Sequence, residues 1–224
     1  MNFYQKKIRN ILRLNIQTIR FNFHYFPFKQ AIRFPVLISS NTRLLKINGT
    51  VVLDSPIYFG KVKFGYGEVG IFDKRFSRSI WEMRGRIEFR GTANIGHGSK
   101  ISVGKSGELI LGDNFTISAE SSIIAFKSIT IGDNCLIAWN TQIMDTDFHT
   151  ITDFDKNILN APASIILGNK IWIGARCMVL KGAEIPSNCV IGAGSIVSGK
   201  ITVENQLIVG SPAKAVRSGI NWEH

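Results

Sequence analysis

The feature that most constrains this chain is a six-residue repeat that begins at residue 167 and keeps its register to residue 214. Every unit begins with a branched aliphatic residue: Leu167, Ile173, Val179, Ile185, Ile191, Val197, Val203 and Val209. Units of fixed period bury their apolar faces only against their neighbours, so the repeat takes priority over local propensity. It predicts a coil of short stacked strands.

The same division into sixes applies to residues 111–128 and 131–148. Glycine is frequent at the second position, where we expect it to supply the unusual backbone angles of a turn. The fifth position is mostly small or apolar and is predicted to lie inside the coil near a corner. Cys135, Cys177 and Cys189 all occupy this position, so we predict core residues and not reactive thiols. They form no CxxC pair or cluster with histidine, and no metal site is expected.

Charge separates the start of the chain from the rest. The net charge is +11, yet residues 1–53 contain nine Lys or Arg and no acid, Asp54 being the first. Such a segment suits nucleic acid, an anionic membrane or an acidic substrate. No nucleic-acid motif is present, so we expect no nucleic-acid partner.

The N-terminus lacks the features of a signal peptide and no apolar run is long enough to span a membrane, so a cytoplasmic location is expected.

Residues 1–23 carry an apolar stripe at spacings of three and four residues. Its members are Tyr4, Ile8, Ile11, Leu12, Ile16, Ile19 and Phe23. The spacing predicts a basic amphipathic helix. This helix could make peripheral contact with an anionic membrane surface. Alternatively, it could pack on the β-helix of the same chain or on a neighbouring subunit.

The chain resembles the bacterial hexapeptide-repeat acyltransferases, in their galactoside, maltose and polysaccharide O-acetyltransferase branch, through the runs "ITIGDNCLIAWNTQIMDTDFH", "IILGNKIWIGARCMVLKGAEIPSNCVIGAGSIVSGKI" and "VGSPAKAVR". The resemblance implies an all-β fold, a left-handed parallel β-helix over residues 91–217. It also implies a homotrimer with active sites between subunits. We expect a basic segment at 1–53, irregular early strands at 54–90 and a C-terminal tail at 218–224.

An insertion interrupts the repeat between the units that open at residues 143 and 167, and its length preserves the phase. The resulting loop, 144–166, is predicted to be functional, because long ordered loops on rigid scaffolds often carry binding and catalysis. By the resemblance, His149 removes the proton of an acceptor hydroxyl that attacks the thioester of acetyl-CoA. An imidazole suits this role because it titrates near pH 6.5. Asp147 and Asp145 are expected to orient the ring or contact acceptor hydroxyls; we assign Asp147 to catalysis and Asp145 to substrate binding.

The resemblance also implies a site for the donor, acetyl-CoA, along the last coils. Small residues would line the pantetheine groove and cations would reach the nucleotide phosphates. The expected donor residues are Ala175, Ala193, Ser198, Lys200, Lys214 and Arg217. Lys200 is displaced by one position from the family pattern. Trp172 is expected either to flank the active site and contact substrate or to cover an exposed apolar face.

These observations predict an O-acetyltransferase that moves an acetyl group from acetyl-CoA to a hydroxyl of a saccharide, in a surface polysaccharide or its precursor. Two alternatives remain. The same prism could N-acetylate an amino sugar nucleotide, or the chain could be a non-enzymatic repeat scaffold that binds partners through its basic arm.

Overall fold

The structure is a computed structural model that describes residues 14–223. Three sheets form the sides of a prism, and each coil of the chain passes through sheet A, then sheet B, then sheet C. Strands in successive coils pair in parallel, and among the described strands only the last, β22 (Ala213–Ser218), runs antiparallel to its neighbour. The parallel β-helix expected from the repeat is therefore confirmed.

Sheet A contains β1 (Val36–Ile38), β4 (Val62–Tyr66), β7 (Ala93–Gly96), β10 (Phe115–Ile117), β13 (Leu136–Ile137), β16 (Trp172–Ile173), β19 (Val190–Ile191), β21 (Gln206–Gly210) and β22 (Ala213–Ser218). Sheet B contains β2 (Arg43–Ile47), β5 (Ile80–Met83), β8 (Lys100–Val103), β11 (Ser122–Ala125), β14 (Gln142–Met144), β17 (Met178–Leu180) and β20 (Ile196–Val197). Sheet C contains β3 (Thr50–Leu53), β6 (Arg86–Phe89), β9 (Glu108–Leu111), β12 (Ser128–Ile131), β15 (Ile165–Leu167) and β18 (Glu184–Ile185). We name the corners AB, BC and CA after the sheets that they join.

The first and fifth positions of the repeat form the core as far as Val197; in the next unit the first-position Val203 is exposed and Ile208 is buried instead. First-position residues such as Ile143, Ile173 and Val179 are fully buried, because alternate residues of each short strand point into the prism. The fifth-position cysteines are also buried, which confirms their prediction as core residues. Burial raises the pKa of Cys135 to about 11, which disfavours a reactive thiolate.

The turns use a different position from the one expected. The left-handed backbone conformation occurs at the fourth residue of the units, with φ of 58° at Asn134, 58° at Arg176 and 60° at Asn188. The second-position glycines are required for close approach instead. A Cβ on Gly174 would lie 2.6 Å from the backbone nitrogen of Ala193 in the next coil. The expectation that the second position supplies the turn angles is therefore wrong.

The prism also begins earlier than the expected boundary at residue 91. Val36 pairs with Val62, and Val62 pairs with Ala93, in the same parallel ladder of sheet A as the later coils. The segments expected at 1–53 and 54–90 thus both contain strands of the β-helix. Long excursions between β3 and β4 and between β4 and β5 conceal the period, because they separate equivalent residues by more than the later coils without an insertion do.

Two short helices cover the open end of the first coil: α1 (Ile16–Tyr25) and α2 (Phe28–Ala31). Asn15 caps α1 by accepting a hydrogen bond from the Thr18 nitrogen at 3.0 Å. Phe21 packs edge-on against Trp81 with ring centroids 5.1 Å apart, so α1 seals the core. The helix expected over residues 1–23 is present from Ile16, and its part in residues 1–13 lies outside the described residues.

Candidate active site

The inserted loop leaves the prism at the BC corner. It occupies residues 145–164, between the end of β14 and the start of β15. Lys181 follows β17 at the same corner of the next coil, and Phe126 follows β11 at the same corner of the preceding coil. The loop is therefore held between two rigid turns of the β-helix.

His149 sits in a sharp turn at the base of this loop. Its backbone nitrogen donates to the carbonyl oxygen of Asp147 at 2.7 Å, around Phe148 in the left-handed region with φ of 62°. Such a conformation costs free energy for a residue with a side chain, so neighbouring contacts must hold it. The Phe148 ring packs edge-on against Phe126 with centroids 5.0 Å apart. The turn that presents His149 is therefore anchored to the preceding coil.

The imidazole of His149 is accessible. The residue is exposed, and within residues 14–223 its ring nitrogens make no hydrogen bond. A pocket of about 130 Å³ opens beside it, lined by residues from both limbs of the loop, including Phe148, Ile158 and Pro162. The ring is thus available to a ligand at the edge of a partly apolar pocket.

Asn160 ties the two limbs of the loop together. Its side-chain Nδ2 donates to the carbonyl oxygen of His149 at 2.8 Å and to Oδ2 of Asp147 at 2.9 Å. Its Oδ1 accepts from the nitrogen of Ile151 at 2.6 Å. One side chain therefore holds the backbone at and just after the histidine, and the carboxylate of Asp147 just before it.

Lys181 joins the same cluster from the next coil. Its Nζ lies 2.5 Å from Oδ2 of Asp147 and 2.8 Å from the carbonyl oxygen of Asn160. Hydrogen bonds from Lys181 and from Asn160 hold the pKa of the Asp147 carboxyl below its ordinary value. The carboxylate of Asp147 is thus engaged by Lys181 and Asn160, and it does not contact the imidazole as expected for a residue that orients the ring.

Asp145 does not fit its expected contact with substrate. It is fully buried, and its two carboxylate oxygens accept from the backbone nitrogens of Phe126 at 2.7 Å and Lys127 at 2.8 Å. A carboxylate that satisfies two backbone donors inside the corner has little freedom to meet a sugar hydroxyl. Its place is structural, holding the start of the loop to the preceding coil.

Trp172 lies on the opposite side of the prism from His149. It belongs to β16 in sheet A, and in a three-sided prism sheet A is opposite the BC corner. Its side chain is 40% exposed and packs against Trp222, with ring centroids 6.1 Å apart. Trp222 in turn donates to the carbonyl oxygen of Lys170 at 2.9 Å. The segment expected as a C-terminal tail at 218–224 therefore packs on sheet A through Trp222.

The expected donor residues divide into two groups. Ala175 and Ala193 lie at the AB corner, and Lys214 and Arg217 lie on the exposed strand β22 beside β21 in sheet A. The remaining two, Ser198 and Lys200, lie at the BC corner. Ser198 and Lys200 share a small pocket with Ala213, the first residue of β22, whereas Ala175 and Ala193 lie at the other corner.

Lys200 is engaged in an ion pair. Its Nζ lies 2.6 Å from Oε1 of Glu184, and both side chains are largely exposed. Exposed pairs of this kind are weak, so the pairing leaves Lys200 able to exchange its partner.

Comparison with known proteins identifies the family. The profile of the hexapeptide repeat of succinyl-transferase matches residues 108–143 and 163–198, on either side of the His149 loop. A protein of Escherichia coli (strain K12), named "Putative lipopolysaccharide biosynthesis O-acetyl transferase WbbJ", is 30% identical over 142 residues, which cover 59% of this chain and 72% of that protein. This chain belongs to the hexapeptide-repeat acyltransferase family.

Two further relatives bear on this acyltransferase. An uncharacterized 24.8 kDa protein in the cps region of Klebsiella pneumoniae is 30% identical over 147 residues, 63% of this chain and 62% of that protein. The chain thus spans less than two thirds of that relative's length. The crystal structure of the polySia-specific acetyltransferase NeuO superposes with a TM-score of 0.64 at 24% identity, covering 84% of this chain and 79% of that chain. This likeness shows the fold, the left-handed parallel β-helix predicted above.

The sequence did not single out Lys181 and Asn160 of the candidate site, nor Trp222 beside Trp172. Lys181 stands at the third position of a repeat unit, where nothing in the sequence separates it from an ordinary exposed lysine. Asn160 belongs to the insertion, whose internal contacts the repeat does not encode. Trp222 follows the last matched unit. The sequence held one usable signal for Asn160. This residue directly precedes Ala161–Pro162, where the chain returns to the prism.

No helix among residues 14–223 of the acyltransferase is long and apolar enough to cross a membrane.

Proposed function

We propose that this acyltransferase moves an acetyl group from acetyl-CoA to a hydroxyl of a saccharide, with His149 as the general base. The observation that carries the proposal is the accessible imidazole, presented at the edge of a pocket by a turn that Asn160, Asp147 and Lys181 hold in place. Membership of the family supplies the reaction class. The names of the relatives, for O-acetylation in lipopolysaccharide biosynthesis and of polysialic acid, support a saccharide as the acceptor.

The chemistry needs one proton transfer to the protein. A neutral His149 ring nitrogen accepts the hydroxyl proton as the oxygen forms its bond to the thioester carbonyl carbon. When the C–S bond breaks, the imidazolium returns that proton to the departing CoA thiolate. Assistance by a general base of this kind typically contributes about 10²- to 10⁴-fold to the rate. Because the thioester is already activated, no covalent bond to the protein is required.

Asp147 supports this reaction as a positioning residue. Its carboxylate receives Lys181 and Asn160, and Asn160 also holds the backbone carbonyl of His149. The cluster therefore acts on catalysis through the place of the imidazole. Preorganisation of this sort matters because small displacements of a reacting group can cost about 10²-fold in rate.

We propose that the complete site forms between subunits of a homotrimer. His149 and Ser198 lie at the BC corner, whereas Trp172, Ala175 and Arg217 lie along sheet A and the AB corner. Head-to-tail contacts that close into a ring repeat one interface between unlike surfaces. Such a ring would place the BC corner of one subunit against sheet A of the next. The AB-corner residues and the cations of β22 would then line the groove for acetyl-CoA beside the neighbour's histidine.

The proposed location is the cytoplasmic face of a membrane, where a saccharide precursor on a lipid carrier is presented. The support is the concentration of cations in residues 1–53 without any acid.

Incubation of the purified protein with acetyl-CoA and a panel of saccharides tests the reaction. Release of free CoA thiol should accompany acetylation of the acceptor, and the acetyl group should be removed by mild alkali as an ester is. An alkali-resistant product would point to N-acetylation of an amino sugar. No turnover and no binding of acetyl-CoA in calorimetry would leave the non-enzymatic scaffold as the explanation.

A further inference from the structure

Helix α1 packs on the prism through Phe21, which contacts Trp81, and through two buried polar side chains. The Thr18 hydroxyl donates to the carbonyl oxygen of Ile38 and accepts from the Ile38 nitrogen, both at 2.9 Å. The Asn22 side chain bonds the carbonyl oxygen and the nitrogen of Val36 at 2.7 and 3.2 Å. These two buried polar side chains satisfy the free edge of β1, which would otherwise be an unpaired strand edge.

Another side of α1 is apolar and exposed. Ile16, Ile19 and Phe23 are 81%, 46% and 45% exposed. At about 100° per residue they lie on a different face of the helix from Thr18 and Asn22, with Ile19 about 60° from Asn22. The described part of the apolar stripe is therefore largely accessible at Ile16 and about half accessible at Ile19 and Phe23, and Phe23 also packs against Phe34 with ring centroids 6.2 Å apart.

Helix α2 extends this apolar surface. The rings of Phe23 and Phe28 have centroids 6.0 Å apart, Phe28 is 70% exposed, and Ile32 follows one turn later at 50%. Exposed cations are interleaved with these residues. We call the whole surface the end face; its members are Ile16, Ile19, Arg20, Phe23, Phe28, Lys29, Ile32 and Arg33.

We infer that the end face docks the protein on an anionic lipid bilayer. Apolar side chains among cations are the combination that inserts into the headgroup region and attracts anionic lipid. A second copy is a poor occupant, because pairing two end faces would oppose Arg20, Lys29 and Arg33 with no acid to neutralise them. Residues 1–13 are a poor occupant for the same reason, since they add four cations and no acid. The inference deepens the proposed membrane location and does not depend on acetyl transfer.

Docking through the end face fixes the height of the active site above the bilayer. The end face caps the first coil, and β14, which leads into the His149 loop, stands four strands above β2 in sheet B. Strands are spaced about 4.8 Å apart, so the loop lies about 19 Å further from the bilayer than the first coil. An acceptor at that height is a saccharide of several units on its lipid carrier, and not a single sugar at the headgroups.

Co-sedimentation of the full-length protein with vesicles tests the inference. We expect binding to vesicles of equal parts phosphatidylcholine and phosphatidylglycerol, and weak binding to phosphatidylcholine alone. Each cation near an anionic surface contributes about fivefold, so the combined variant Arg20→Gln, Lys29→Gln and Arg33→Gln should bind about 100-fold more weakly. Phe28→Ser with Ile16→Ser should also weaken binding, since it removes the apolar contact. The matched control, Arg75→Gln with Arg78→Gln and Lys105→Gln, removes three exposed cations elsewhere and should retain most of the binding.

Equal sedimentation with the two kinds of vesicle, or equal loss in the control variant, overturns the inference. A smaller particle for the Phe28→Ser, Ile16→Ser variant in light scattering would also overturn it, because the end face would then be a contact between copies. Acetyl transfer to a soluble saccharide, measured on the same preparations, separates the two proposals. Vesicle binding without any transfer would refute the acetyltransferase and leave the docking face standing.

Discussion

The side-chain Nδ2 of Asn160 donates to the backbone carbonyl oxygen of His149 at 2.8 Å. The same nitrogen donates to Asp147, whose carboxylate also receives Lys181 from the next coil. The position of the imidazole thus depends on a residue eleven positions away and on the rigid prism beyond it. This network lets a long loop on the surface present one side chain in a defined place.

Asn160→Ala should lower kcat by about tenfold or more with a smaller effect on KM for acetyl-CoA, because it frees the backbone of the histidine turn. Asn160→Asp should be at least as harmful, since its carboxylate would face the carboxylate of Asp147. Steady-state kinetics on both variants checks this. If kcat falls at every pH while the shape of its pH profile is unchanged, Asn160 acts by positioning the imidazole of His149. An unchanged kcat would contradict this positioning role.

Lys181→Met should raise the pKa of the Asp147 carboxyl toward its ordinary value of 3.8. A carboxyl whose pKa is lowered in the folded protein stabilises the fold above its ordinary pKa and loses that contribution as the pH falls through the lowered value. The wild-type loop should therefore keep its ion pair at neutral pH and release it only in strong acid. Titration of the Asp147 carboxyl carbon by NMR measures the shift, and identical curves for the two proteins would refute the pairing.

Asp145→Ala should destabilise the protein by about 1–3 kcal/mol, because the backbone nitrogens of Phe126 and Lys127 lose their acceptor. Asp155→Ala, at an exposed position of the same loop, should have little effect. Urea unfolding of both variants makes the comparison. If the Asp145→Ala variant has native stability and a raised KM for the saccharide, the result would instead support the contact between Asp145 and the substrate that was expected from the sequence.

His149 and Trp172 should act in one site from two different subunits. Trimers assembled at random from equal amounts of His149→Ala and Trp172→Ala subunits would contain intact sites at about one quarter of their interfaces. Co-expression with two affinity tags isolates the mixed particles, and their turnover should clearly exceed that of either parent. No recovery in mixed trimers would place both residues in the same subunit's site, or would remove Trp172 from it.

Much of the fold could be predicted because the six-residue period can be read directly from the sequence. The buried aliphatic residues, the core cysteines and the insertion between β14 and β15 all follow from counting in sixes. The first coils could not be predicted in this way, since long excursions at residues 54–61 and 67–79 break the count although Val36 and Val62 still pair. The alternation of buried and exposed residues within the strands does not reveal where such excursions occur.

The site was less predictable than the fold, for a related reason. His149 stood out because it interrupts a monotonous pattern, but the burial of Asp145 depends on two backbone nitrogens in another coil. The orientation of α1 on the prism could not be predicted from the sequence either. A helical stripe predicts an apolar face, and only the contacts of Phe21, Thr18 and Asn22 show that a different face is the one that packs.

The most direct test of the account is the turnover of His149→Ala beside Asp155→Asn, a matched change in the same loop. We expect His149→Ala to keep the wild-type circular dichroism, melting temperature and particle size while its acetyl-transfer rate falls at least about 100-fold, and Asp155→Asn to remain close to wild type. A folded His149→Ala protein that turns over near the wild-type rate would contradict the assignment of the general base.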